Sequence, residues 1–141
     1  MTAREVRTQL RNRLNIILKP LGFRYDAKAF QYIKKIPGGH WGVSSALGVY
    51  SPLFKLGFAF FIRLDEVEEV YKPYSRIMPE YQKFSPTIMV SYDYFKEETY
   101  FEYHIRNEGD LTVAVTDFQD IFHFKILPTL ERYSDLKNLF E

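Results

Sequence analysis

His40, His104 and His123 are the chain's three histidines, and with the carboxylates around them they are the groups that acid–base chemistry would need. None of them stands in a catalytic motif. There is no HExxH, GxSxG, GxGxxG or Walker loop. Pro37-Gly38-Gly39-His40 contains glycines but lacks both a following helix and a phosphate-binding lysine at the right spacing, so it reads as a tight turn. The absence of cysteine from all 141 residues removes thiol nucleophiles, thiolate zinc sites, iron–sulfur clusters and disulfide scaffolds. No histidine pair has the spacing of metal ligands on a helix or strand, so neither a metal site nor a cofactor is expected.

One polar constellation emerges from strand pairing. Residues 87–95 and 100–106 alternate in character, and placing Phe95 opposite Tyr100 sets Tyr92 against Tyr103 and Val90 against Ile105 on one face. The other face then carries Asp93 with Glu102, Ser91 with His104 and Met89 with Arg106. His104 beside Glu102 or Asp93 could hold a ligand or serve a hydrolase or lyase. The plainer reading is a solvated sheet face, because polar alternation is the default for antiparallel sheets, and Asp93 opposite Glu102 is an unfavourable like-charge pair unless a cation sits between them. His123, among Phe122 and Phe124, reads as a packed or boundary histidine.

A second feature comes from the preceding hairpin. If Tyr50 opposes Lys55 across Ser51-Pro52-Leu53-Phe54, one face pairs Val49 with Leu56, Leu47 with Phe58, Ser45 with Phe60, Val43 with Ile62 and Trp41 with Leu64. The opposite face collects Gly42, Ser44, Ala46 and Gly48 with Gly57 and Ala59. Glycine weakens strands, so its repeated use implies a close approach by another backbone, a helix or a ligand. Either a helix packs there and the sheet is covered on both sides, or the face is a concave groove for a partner peptide or an apolar ligand, rimmed by Tyr50, Phe61 and Arg63.

These faces need elements to hold them. Thr2 and Glu5 have capping-box spacing, and Val6, Leu10, Leu14, Ile17 and Leu18 recur at helical intervals before Pro20 and Gly22, which predicts an N-terminal helix. Its other side shows Arg4, Arg7 and Arg11 as one exposed stripe. Residues 23–25 and 29–36 read as strands joined through Asp26 and Lys28. Asp65 caps a short acidic helix that breaks at Pro73 and Pro79, followed by an irregular crossing loop. Leu111, Val113 and Val115 suggest a short strand after an Asn107–Asp110 turn. Thr116 with Gln119 forms a second capping box, whose stripe of Phe118, Ile121, Phe122 and Ile126 runs into Pro128, where a kink or restart is expected. Ser134-Asp135 can cap a last turn carrying Leu136, Leu139 and Phe140.

The sum is a single α+β domain over residues 1–141. An antiparallel sheet of about six strands has the N-terminal and C-terminal helices packed on its Val49/Phe58/Phe60/Tyr92/Tyr103 face. No apolar run approaches the ~18 residues a membrane span needs, and Arg4, Arg7, Arg11 and Arg13 interrupt the N-terminal segment, so the expected compartment is the cytoplasm. The net charge of +1 conceals an asymmetry: residues 1–64 hold 11 Lys/Arg and 2 Asp/Glu (+9), and residues 65–141 hold 8 and 16 (−8). Tyr32, Lys34, Lys35, Tyr50 and Lys55 interleave aromatic and basic character as single-strand nucleic-acid binders do. A near-neutral isoelectric point and the placement of most aromatics on apolar faces argue against nucleic acid as a partner.

Two stretches carry a resemblance. Leu21-Gly22-Phe23-Arg24 with Phe30, and Ile126-Leu127-Pro128-Thr129-Leu130-Glu131-Arg132-Tyr133-Ser134-Asp135-Leu136, resemble an uncharacterised bacterial domain-of-unknown-function family of small, immunity-protein-like α+β proteins. In that family an N-terminal helix, a "GF(K/R)" entry to a sheet and a terminal "P-x-L" helix bracket the chain. The likeness is in the order of elements over nearly the whole length, while Pro37 to Lys96 has no motif that matches. It implies a non-enzymatic protein that neutralises a toxin-like partner, and it carries over no catalytic residue. The expected binding residues are Tyr50, Phe61, Arg63, Asp93, Glu102, His104 and Arg106, with a small-molecule-binding or hydrolytic enzyme using the His/carboxylate cluster and a single-strand nucleic-acid binder using the Arg4/Arg7/Arg11 stripe as the alternatives.

Overall fold

The N-terminal helix starts where the sequence provides a cap: the Thr2 hydroxyl oxygen accepts from the Glu5 N–H at 3.2 Å, and α1 runs from Ala3–Leu18. Val6, Leu10, Leu14, Ile17 and Leu18 are its buried stripe. A 3-10 turn over Lys19–Leu21 ends in Gly22 at φ +94°, and the Phe23 N–H closes back onto the Leu18 carbonyl, which drops the Phe23 ring into the core. The computed structural model describes residues 1–74 and 86–135. Pro79, the crossing loop and the expected turn carrying Leu136, Leu139 and Phe140 lie outside the described residues.

Among the described residues six strands form one antiparallel sheet. Strand β1 (Arg24–Asp26) turns into β2 (Gln31–Ile36) through Asp26, whose carboxylate accepts from the Lys28 and Ala29 N–H groups. Two long strands, β3 (Gly39–Tyr50) and β4 (Leu53–Leu64), make the central hairpin, and burial along β4 alternates in period two from Leu53 to Phe61. The pairing differs from the expected one by two residues. Tyr50 opposes Leu53, Val49 opposes Phe54, Ser45 opposes Phe58 and Val43 opposes Phe60, because Ser51-Pro52 alone makes the connection. A shift of two keeps every side chain on its expected face, since strand faces have a period of two.

The other expected hairpin does not form. Strand β5 (Ile88–Ser91) pairs with β4 at Ala59 to Ile62, whereas β6 (Tyr103–Ile105) pairs with β4 at Phe54 to Leu56. The two lie end to end along one edge of β4 and do not pair with each other. Between them the chain leaves the sheet: the Ser91 hydroxyl caps a short helix, α3 (Tyr92–Lys96), and Glu97 and Tyr100 take positive φ. The expected strand over Leu111 to Val115 is also replaced by helix. The Asn107 side chain caps the Asp110 N–H, so α4 (Glu108–Ile121) begins well ahead of Thr116, and Leu111, Ala114, Val115 and Phe118 face inward while Val113 points out. Leu111, Val115 and Phe118 also satisfy the helical period, with Val113 left outside it, and the cap decides.

At Phe122–Ile126 the helix widens into a π turn, with the Leu127 N–H bonded five residues back to the Phe122 carbonyl, and α5 (Leu127–Tyr133) restarts with Pro128 in its first turn. The expected break falls here. Phe118 stacks on Phe58 with centroids 4.3 Å apart, Phe122 meets Phe23 and Phe60, and Tyr92 packs against Phe58 and Phe60. On the same side of the sheet, the Tyr32 hydroxyl donates to the Asn15 amide oxygen of α1, and Trp41 Nε1 donates to the Ser134 hydroxyl. A short helix, α2 (Asp65–Tyr71), follows β4 and adds Val67 to the rim of the core. Burial of this one aromatic face is the main source of stability.

Candidate functional site

The second face of the sheet carries the residues singled out by sequence, divided between its two ends. The strand alternation puts Arg24, Asp26, Gln31, Ile33 and Lys35 on it, with His40, Gly42, Ser44, Ala46 and Gly48 from β3 and Lys55, Gly57, Ala59, Phe61 and Arg63 from β4. Three of its glycine positions have different local causes. A Cβ on Gly42 would collide with the Gln31 amide, and one on Gly48 would meet the Tyr50 ring at 2.8 Å. A Cβ on Gly57 would find nothing within 4 Å. The close approach inferred from the glycines is therefore made at two positions by side chains of the sheet itself and not by a packed helix.

At one end, Arg63 is 8% exposed and its Nε donates to the Asp65 carboxylate at 2.8 Å. It stands opposite His40, whose imidazole is pushed below its ordinary range by burial first and by the Arg63 charge second. Phe61, half-buried, covers Gly42. Arg63 thus acts as a structural ion-pair partner at the start of α2. At the other end, Lys55 sits between Gly48 of β3 and His104 of β6, and its ammonium lies 4.8 Å from the centre of the Tyr50 ring. Tyr50 is 61% exposed, and His104 and Arg106 are exposed. Lys55 and Phe61 are six positions apart, about 20 Å along the strand.

The acidic half of the expected cluster is not assembled. Ser91 pairs with Ala59 and His104 with Lys55, four positions or about 13 Å apart along β4. The Asp93 carboxylate is used locally, accepting from the Tyr100 and Phe101 N–H groups and closing the loop between α3 and β6. Glu102 is exposed just before β6. Arg106 gives its backbone N–H to Asp110 at the start of α4. The sequence misplaced these residues because Ser91 and Asp93 have the same alternation in a strand as in a capped helical turn.

A polar network that the sequence did not reveal lies at the edge of the core. The Tyr92 and Tyr103 hydroxyls are 2.6 Å apart, Tyr103 donates to the Asp117 carboxylate at 2.6 Å, and the Lys96 ammonium reaches the same oxygen at 2.7 Å. Burial drives both phenols well above the usual tyrosine range, and for Tyr103 its bonds to Asp117 and Tyr92 add to the rise. Burial also raises Asp117, but hydrogen bonds from Lys96 and Tyr103 and the charges of Lys96 and Lys125 outweigh it, so the carboxyl lies below its ordinary value. Phenols held protonated beside a carboxylate held ionised do not exchange protons near neutrality, so the network ties α3, β6 and α4 together.

Among the described residues no group of three or more histidine, aspartate or glutamate side chains could hold a metal ion, and no helix is long and apolar enough to cross a membrane. Compared with known proteins, the chain matches no protein-family model, no curated protein and no solved structure.

Proposed function

We propose that this chain is a non-enzymatic protein-binding domain of the immunity or antitoxin kind, acting in the cytoplasm, which occludes a toxin-like partner with the second face of its sheet. The contact strip is Tyr50, Lys55, Gly57 and His104, and the partner presents an acidic surface to it. The observation that carries the reading is Gly57: mid-strand, it has open space where its side chain would stand, while Tyr50 at 61% and Met89 at 65% exposure share its face. The described helices place their buried residues against the opposite face. The dispersal of Asp93, Glu102 and His104 favours binding over acid–base catalysis, and the resemblance of the chain's two ends to immunity-protein-like domains favours a toxin as the partner.

The test is affinity capture from the native host lysate at low salt and at about 0.5 M salt, with the full chain, Gly57→Arg and Lys55→Glu. One stoichiometric protein held by the parent at high salt, and captured at least about tenfold less by Gly57→Arg, is the expected result. Both positions are half-buried on the sheet face away from the core, and a Cβ on Gly57 meets nothing within 4 Å, so the thermal midpoint and circular dichroism are expected to stay close to those of the parent. Equal capture by parent and variants, or no protein at all, counts against the reading.

A further inference from the structure

A cleft of about 270 Å³ opens between α1 and the sheet, on the core side, where the helix diverges from β1 to β3. Its walls combine two arginines, Arg7 and Arg11, with Tyr25, Tyr32 and Ser45, over a floor of Leu10, Leu14 and Leu47. We propose that this cleft binds a small organic anion, with a carboxylate or phosphate head held by Arg7 and Arg11 and an aromatic or short aliphatic body lying on the leucines.

The charge arrangement points to an anion. Neither Arg7 nor Arg11 forms an ion pair with a carboxylate among the described residues, although Arg13, on the same helix, bonds to Thr112 at 2.6 Å and pairs with Glu108. Positions 7 and 11 are one helical turn apart, which puts their side chains about 6 Å from each other, a separation two guanidiniums can bridge through one oxyanion. Arg11 is already oriented, its guanidinium 3.9 Å from the centre of the Tyr25 ring. Ser45 gives an independent signal. It is the one polar residue that β3 contributes to the face holding its Trp41, Val43, Leu47 and Val49, and it is exposed where Val43 beside it is buried. A hydroxyl there has no packing value and suits a ligand's polar edge.

Size and lining narrow the class. The volume is just under the roughly 300 Å³ at which drug-sized sites begin, so the occupant is a compact molecule and not a dinucleotide. An apolar floor with cations at the rim fits an amphipathic anion better than inorganic phosphate.

The experiment is a titration of the full chain followed by backbone amide NMR shifts, with phenyl phosphate, phenylacetate and neutral benzyl alcohol as separate probes. The expected result is saturable shifts at Arg7, Arg11, Tyr25 and Ser45 with a dissociation constant at or below about 1 mM for one or both anions, and no saturation by the alcohol. The two anion arms tell phosphate from carboxylate recognition. Arg7→Gln, on an exposed helix face, weakens binding about tenfold, and Ser45→Phe, which fills the cleft on an otherwise apolar strand face, abolishes it. Absence of shifts at these amides up to about 10 mM overturns the proposal, as does equal affinity for benzyl alcohol or unchanged binding in a folded Ser45→Phe.

Discussion

At the scale of single residues, buried and half-buried titratable groups tie the stability of the fold to pH. Tyr92 and Tyr103 are held protonated by burial, so their stabilising effect is complete below the unfolded tyrosine value of about 10 and is lost as the pH climbs toward their raised folded values. Tyr103→Phe removes the bond to Asp117 and is expected to cost about 1–2 kcal/mol at neutral pH in urea unfolding, with a shallower alkaline decline than the parent. His40 works at the other end. Its folded value is depressed below 6.5, so the unfolded chain takes up the proton first and stability falls as the pH drops through about 6.5. His40→Gln is expected to flatten the thermal midpoint between about pH 7 and pH 5, and an unchanged slope would refute the assignment. Neither role could be read beforehand, because each depends on Arg63, Asp117 or Lys96 arriving from elsewhere in the chain.

At the scale of elements, caps and chain breaks decided what hydrophobic spacing left open. Asn107 starts α4 by accepting from the Asp110 N–H, so Asn107→Ala is expected to lower unfolding free energy by about 1 kcal/mol, and Asn107→Asp to retain most of it. Equal loss in both variants would show that the side-chain oxygen is not the cap. The N-terminal helix was fully legible because cap, stripe and stop signal agree at Thr2, Val6 to Leu18 and Gly22. The β5–β6 region was not. Ser91 and Asp93 end a strand by bonding to nearby backbone, an option that alternation does not distinguish from continued pairing.

At the scale of the whole molecule, the aromatic core joins the two ends of the sequence. Phe118 stacks on Phe58 and also meets Phe60, Tyr92 and Phe122, so Phe118→Ala is expected to cost about 3–5 kcal/mol and to loosen near-ultraviolet circular dichroism throughout the fold. A loss under about 1 kcal/mol would show that the site collapses without penalty. The basic first half and acidic second half of the sequence do not form two lobes in space: β4 is paired with β5 and β6, and Arg13 reaches Glu108. The sequence by itself determined the α+β class, the residues that face the core along α1, β3 and β4, and the helical break before Pro128. Each is a local property, carried by a period of 2 or 3.6 and by residues within a turn of one another. Tertiary structure alone decided that the 89–106 segment splits around α3 to pair with β4 at two separate places, that Lys96 and Tyr103 meet at Asp117, and that Arg7, Arg11 and Ser45 meet at one cleft. Those outcomes join residues far apart in sequence, and the balance of burial against polar satisfaction that selects them is settled when the faces pack.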